Sequence, residues 1–159
     1  MFLKAPFHLL VLFLVLPFFS CSSKKAWRTH NKGADHNIQF IRNITLTDAI
    51  NLSKKEEKPI FLDIYTDWCL PCKVMEQEVY SDFVIAKYFN ANFINIKAEG
   101  DQDTGIRLAN LFQVRGYPTL IFLDVQGKLL LKHNGAASVS EFLELGEEAR
   151  ALFQEKKAL

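Results

Sequence analysis

Cys69 and Cys72 stand three residues apart in Trp68-Cys69-Leu70-Pro71-Cys72-Lys73, directly after the apolar stretch Pro59-Ile60-Phe61-Leu62-Asp63-Ile64-Tyr65. A strand that ends in Cys-x-x-Cys and feeds a helix puts the first sulfur at a helix N-terminus. Unpaired N–H groups and the positive end of the helix dipole favour an anion there. Cys69 is therefore expected to be exposed, acidified and nucleophilic. Cys72, one turn inward, is close enough to close a disulfide, so two redox states are accessible without a change of fold. The chemistry open to such a pair is thiol–disulfide exchange. A Cys69 thiolate opens a disulfide to give a mixed disulfide, and Cys72 then attacks Cys69 and releases the reduced partner. The order of attack rests on the expected exposure of Cys69. Leu70-Pro71 tunes how well the helix stabilises the thiolate, and Pro71 is tolerated because the first helical turn has no N–H bond to lose.

Zinc binding and an inert structural disulfide are the other uses of this spacing. Structural zinc needs two more ligands, and the remaining cysteine, Cys21, lies far upstream. Of His8, His30, His36 and His133, only His30 and His36 have a finger-like separation, and they precede the cysteines, the reverse of the usual order. Neither a metal nor another cofactor is expected.

A chain of 159 residues, 49% of them hydrophobic, is long enough for one domain with a proper core. Fourteen phenylalanines against two methionines point to an aromatic core. The formal charge of +1 and the interleaving of Lys/Arg with Asp/Glu argue against a nucleic-acid partner.

At the start of the chain, Lys4 precedes an apolar run from Phe7 to Phe19 broken by His8 and Pro17. The run is too short to span a bilayer and fits the hydrophobic region of an export signal. Phe18-Phe19-Ser20-Cys21 resembles a bacterial lipobox, with Phe18 where leucine is usual and Phe19 bulkier than the usual residue. Cys21 is accordingly expected to be acylated and to become the mature N-terminus. Residues 1–20 then form a lipoprotein-type signal peptide, residues 21–37 a polar flexible tether, and residues 38–159 the folded domain. Loss of Lys4 with the leader would leave equal numbers of acidic and basic side chains.

Within the domain, Ile38-Gln39-Phe40-Ile41-Arg42 alternates weakly, as a short edge strand would. Thr47-Asp48 offers a helix N-cap, and the helix runs to Lys58 before Pro59 stops it. The continuous apolar character of Ile60 to Tyr65 suits a central strand covered on both faces and makes Asp63 stand out. Val74, Met75, Val79 and Tyr80 support a helix after Cys72. Ser81-Asp82 caps a further helix through Phe83, Val84, Tyr88 and Phe89, and Phe93 to Ile96 is the next strand. Asp101 to Asp103 opens a helix with Ile106, Leu108, Leu111 and Phe112 on its inner side, ended by Gly116. Thr119 to Leu123 and Leu129 to Lys132 form a hairpin. Ser138-Val139-Ser140-Glu141 matches a capping box, and the last helix runs toward Phe153 through an ill-fitting Gly146. This order specifies a central mixed sheet flanked by helices.

From about Pro59 to Phe142 the chain resembles the thioredoxin superfamily, on Trp68-Cys69-Leu70-Pro71-Cys72-Lys73 and Val114-Arg115-Gly116-Tyr117-Pro118-Thr119, the hairpin and Gly135. The fold implied is an α/β thioredoxin fold, a central mixed β-sheet flanked by helices, with an extra N-terminal strand and helix. Asp67, Trp68, Cys69, Cys72, Lys73, Glu76, Glu78, Ser81 and Asp82 are similar to the pattern of the C-terminal thioredoxin-like domain of DsbD. Tyr117-Pro118-Thr119 is equally at home in protein disulfide isomerase domains. The resemblance implies that Pro118 is cis and faces the cysteine pair, and that Tyr117 offers its backbone to an extended substrate strand. It implies that Trp68 shields the disulfide and touches substrate. Asp63 is implied to be a buried acid beneath Cys72, its pKa raised by desolvation, that accepts the Cys72 proton. Where typical thioredoxins carry a lysine partner for that acid, the strand Phe93 to Ile96 holds none, so Asp63 is expected to be poorly compensated.

The function implied is an exported, membrane-tethered thiol–disulfide oxidoreductase of the bacterial cell envelope, periplasm-facing and lipid-anchored. It would reduce protein or peptide disulfides as a monomer and be recharged by a membrane dithiol electron donor. A disulfide oxidase or isomerase, or a non-catalytic thioredoxin-fold binding module, are the alternatives.

Overall fold

The computed structural model describes Met1 and residues 36–158; Cys21, Trp27, His30, the apolar leader and most of the expected tether lie outside the described residues. Four strands form one mixed sheet in the order β2-β1-β3-β4: β1 (Ile60–Tyr65), β2 (Ile94–Glu99), β3 (Thr119–Leu123) and β4 (Leu129–Asn134). β2 runs parallel to β1, whereas β3 is antiparallel to both β1 and β4.

Side chains alternate across the sheet, and the alternation sorts the core into two layers. Phe61, Leu120 and Phe122 face one side, where they meet Met75, Tyr80, Ile85, Phe89 and Phe142. Phe89 and Phe142 stack at 4.2 Å between ring centroids, so the wealth of phenylalanine does build an aromatic layer. Ile60, Leu62, Ile64, Ile94, Ile96, Ile121 and Leu123 face the other side with Ala49 and Leu108. By the same alternation Asp63 and Lys97 belong to the aromatic side of their strands. Burial of each large apolar side chain contributes about 1.5–3 kcal/mol.

Helix α1 (Leu46–Glu56) lies on the aliphatic layer with α4 (Asp103–Leu111). Thr45, rather than Thr47, is the N-cap of α1: its hydroxyl accepts from Asp48 N at 3.1 Å, because the helix begins two residues earlier than the apolar spacing suggests. Cys69 opens α2 (Leu70–Val74), which passes without a break into a π turn over Met75–Val79. Asp82 caps α3 (Phe83–Asn92) by accepting from Val84 N and Ile85 N. Ser138 caps α5 (Val139–Lys157) by accepting from Glu141 N. Gly146 belongs inside α5 because the helix crosses α3 there, and a Cβ would come within 2.9 Å of the Phe89 ring.

Two further expectations need correction. The leading strand reduces to a single parallel bridge between Ile41 and Ile96, with Ile41 N donating to Asn95 O and Lys97 N to Ile41 O; one short crossing of the outer edge of β2 forms no ladder. Ile106 and Leu111 of α4 are exposed, since Gly105 and Leu108 form its buried face, and the helix ends at Phe112 before Gln113 in a left-handed conformation rather than at Gly116. At the start of the described domain the His36 ring lies 5.8 Å from that of Phe83, and Asn37 O accepts from Asn90 Nδ2.

Candidate active site

The ends of β1 and β3 bring the cysteine segment and the Pro118 segment to the same end of the sheet. Ile64 pairs with Thr119 in the antiparallel ladder, so the chain leaving β1 toward Cys69 passes beside the chain entering β3 from Pro118. Cys69 and Cys72 are joined as a disulfide, their Cα atoms 5.3 Å apart. The Tyr117–Pro118 peptide bond is cis. The Trp68 indole packs edge-on against Tyr117 at 5.8 Å and donates from Nε1 to Asp101 Oδ2 at 2.7 Å, tying the residues that flank Cys69 and Pro118 to each other and to the β2–α4 loop. A Cβ on Gly100 would lie 2.6 Å from the Tyr117 ring, so glycine in that loop lets the ring approach.

The expected exposure of Cys69 is not what the oxidised site shows. Cys69 and Cys72, joined as a disulfide, are both only 3% exposed. What separates the two cysteines is helix position. Cys69 is the N-cap of α2 and its Sγ accepts from Cys72 N at 3.1 Å, a bond that an anionic sulfur would strengthen. The apolar surface at this end is provided by neighbours, Trp68 at 69% and Leu70 at 71% exposure.

Asp63 is fully buried in the middle of β1, and its pKa is raised from 3.8 to about 6. Desolvation is the main cause; the Lys97 cation opposes it, and the neighbouring Tyr80 hydroxyl lowers it further without completing a hydrogen bond. Among the described residues Asp63 Oδ1 completes no hydrogen bond.

Lys97 corrects the expectation of an uncompensated acid. β2 continues past Ile96 to Glu99, and parallel register places Lys97 directly beside Asp63. The buried Lys97 Nζ lies 3.8 Å from Asp63 Oδ2, is hydrogen-bonded to Glu76 Oε2, and sits 4.4 Å from the centroid of the Tyr65 ring. Glu76 comes from the π turn and its other oxygen meets Arg42 at 3.5 Å, while Arg42 also donates to the Tyr65 hydroxyl at 2.9 Å. A chain of charges therefore leads from buried Asp63 through Lys97 to Glu76, whose side chain is 52% exposed. The signal for Lys97 was in the sequence, in Asn95 and Lys97 alternating with Ile94, Ile96 and Ala98, but a charge at the end of an apolar run reads as a strand boundary.

A second carboxylate group was not foreseen. Asp67, Glu99 and Asp101 gather behind Trp68 and Tyr117; burial first, and then Asp67, push the Glu99 carboxyl up, and backbone N–H groups of Asp101 and Asp67 restrain it. Contacts across more than thirty residues of sequence, such as Trp68 to Asp101, leave no local pattern.

The thioredoxin-like domain family matches residues 46–150. DsbD of Citrobacter koseri, described as a thiol:disulfide interchange protein, is 37% identical over 89 residues, covering 53% of this chain and 15% of the relative. DsbD of Yersinia pestis is 31% identical over 113 residues, covering 70% and 18%. The chain thus spans less than a fifth of the length of these curated relatives. A solved structure of a candidate disulphide-isomerase from Bacteroides thetaiotaomicron superposes with a TM-score of 0.62 at 30% identity, covering 73% of this chain and 93% of that one. The family match takes in β1, the cysteine pair, Pro118 and the first half of α5, and the chain belongs to the thioredoxin-like domain family.

Proposed function

We propose that this protein is a thiol–disulfide oxidoreductase that reduces protein or peptide disulfides, tethered to a bacterial envelope membrane by a lipid on Cys21 and facing the periplasm. The observation that carries the reading is the Cys69–Cys72 disulfide at a helix N-terminus beside a cis-proline segment.

In the reduced protein the Cys69 thiolate attacks one sulfur of a partner disulfide. A new S–S bond forms to Cys69, the partner's S–S bond breaks, and the departing partner thiolate takes a proton from water. Asp63 then accepts the Cys72 proton, since with a pKa of about 6 it is ionised at neutral pH, and its free Oδ1 is available to hold one. The Cys72 thiolate attacks Cys69 Sγ; as the Cys69–Cys72 bond closes the Cys69–partner bond breaks, the second partner sulfur leaves as a thiolate that takes a proton from water, and Asp63 gives the Cys72 proton back to water. Two electrons pass to the partner, and a membrane dithiol donor returns them. The cis segment supplies the docking edge: Tyr117 N–H and C=O make no hydrogen bond among the described residues, so an extended partner strand can pair with them. Trp68 and Leu70 offer the apolar contact.

The tether reading is supported by the lipobox-like Phe18-Phe19-Ser20-Cys21, and among the described residues no helix is long and apolar enough to cross a membrane. Full-length protein should accelerate insulin reduction by dithiothreitol, and Cys69→Ser should abolish the acceleration; undiminished activity in that variant would refute the proposal. Cys21→Ser should move the protein from the membrane fraction to the soluble fraction, and unchanged membrane association would remove the lipid from the account.

A further inference from the structure

We propose that a cationic groove beside the cis proline selects disulfide partners carrying an acidic side chain next to their disulfide, an inference that rests on the oxidoreductase reading above. The groove has a volume of about 500 Å3 and is lined by Gln113, Arg115, Gly116, Lys132 and Asn134, with no carboxylate among them. Lys132 Nζ donates to Phe112 O at 3.2 Å, which anchors its charge at the end of α4. Arg115 is exposed and forms no ion pair among the described residues.

Gly116 lines the groove without a conformational or packing demand for glycine. Its φ is not left-handed, and a Cβ there would meet nothing within 4 Å, so neither backbone nor packing calls for glycine. The missing side chain instead leaves the groove open up to the Tyr117 backbone. The carbonyls on either side are occupied, Gly116 O by Thr119 Oγ1 at 2.7 Å and Pro118 O by Gly135 N at 2.8 Å, whereas the N–H and C=O of Tyr117 stay unpaired among the described residues. A partner strand seated on Tyr117 therefore brings one of its neighbouring side chains over Gly116.

Charge decides which side chain is welcome. The Tyr117 ring lies in the field of Asp101 and Glu99, while the groove at Arg115 and Lys132 is free of acids. Basic side chains line the Gly116 end of the docking segment and acidic ones stand at the Trp68 end, so on the proposal a partner's carboxylate is attracted at the first and repelled at the second. Complementarity of this kind governs partner choice and association rate more than ultimate affinity.

The test uses the full-length protein in its reduced form and disulfide peptides that differ only in Glu or Gln at one flank of the disulfide cysteine, with both flanks sampled. On one flank, Glu should speed reduction over Gln by about twofold to fivefold at low ionic strength. The advantage should shrink in about 0.5 M salt. In Arg115→Glu the Glu peptide should become the slower one. Equal rates on both flanks, or a Glu preference that survives Arg115→Glu, would overturn the inference while leaving the oxidoreductase reading intact. Failure of the wild type to reduce any peptide would overturn that reading, and this inference with it.

Discussion

On the proposed mechanism Asp63, as the acceptor of the Cys72 proton, couples the redox step to stability through one proton. Its pKa in the fold, about 6, lies above its ordinary 3.8, so the folded chain keeps the proton over a range where the unfolded chain has lost it. Stability should therefore decline as pH rises from about 4 to about 6, by on the order of 3 kcal/mol, and level off above. Urea denaturation across that range should show a steeper decline in the wild type than in Asp63→Asn. The same variant should slow the step in which Cys72 resolves the mixed disulfide by about 10²-fold, with the mixed disulfide accumulating on Cys69. Lys97 lies between two carboxylates and its side chain has no exposure. Lys97→Met should cost about 3 kcal/mol at neutral pH by leaving the buried Asp63 carboxylate without its cation. The cost should diminish below the pKa of Asp63, where one carboxylate is neutral; a loss that is independent of pH would mean that Lys97 acts through packing alone.

Elements hold the site by close approach, and two glycines show how. At Gly105 in α4 a Cβ would fall 1.7 Å from the backbone carbonyl oxygen of Glu99, whereas at Gly146 in α5 it would fall 2.9 Å from the Phe89 ring. Backbone cannot yield as a ring can, so Gly105→Ala should destabilise more than Gly146→Ala. Gly146→Ala should still cost about 1–2 kcal/mol, because Phe89 is stacked on Phe142 and overpacking outweighs the better helix propensity of alanine. Thermal unfolding of the two variants gives the order directly. These glycines also mark where the sequence was hard to read. The helix and strand order, the cysteine pair and the proline segment were legible because each is a local pattern of spacing. Gly146 looked like a flaw because its reason lies on another helix. The end of β2 was misplaced because Lys97 is polar in an apolar run, and only the pairing with β1 reveals that its polar face is buried. The edge strand was overestimated because Ile38 to Ile41 carries an alternating pattern but meets β2 at one point.

At the scale of the molecule, strand order explains why the candidate site gathers at one end of the sheet. β1 lies between β2 and β3, so its C-terminal end delivers Cys69 between the Lys97 and Asp101 region on one side and the Pro118 segment on the other. The two core layers fix that arrangement, and the charges from Asp63 to Glu76 connect its interior to water without opening the fold. All of this serves one claim, that Cys69 is the attacking sulfur because it heads α2. The direct measurement is mass-resolved alkylation of the reduced full-length protein with iodoacetamide as a function of pH. The account predicts that Cys69 is modified first, with a midpoint below the value of about 8.5 for an unperturbed cysteine. A Cys69 midpoint at or above that value, or faster modification of Cys72, would contradict it.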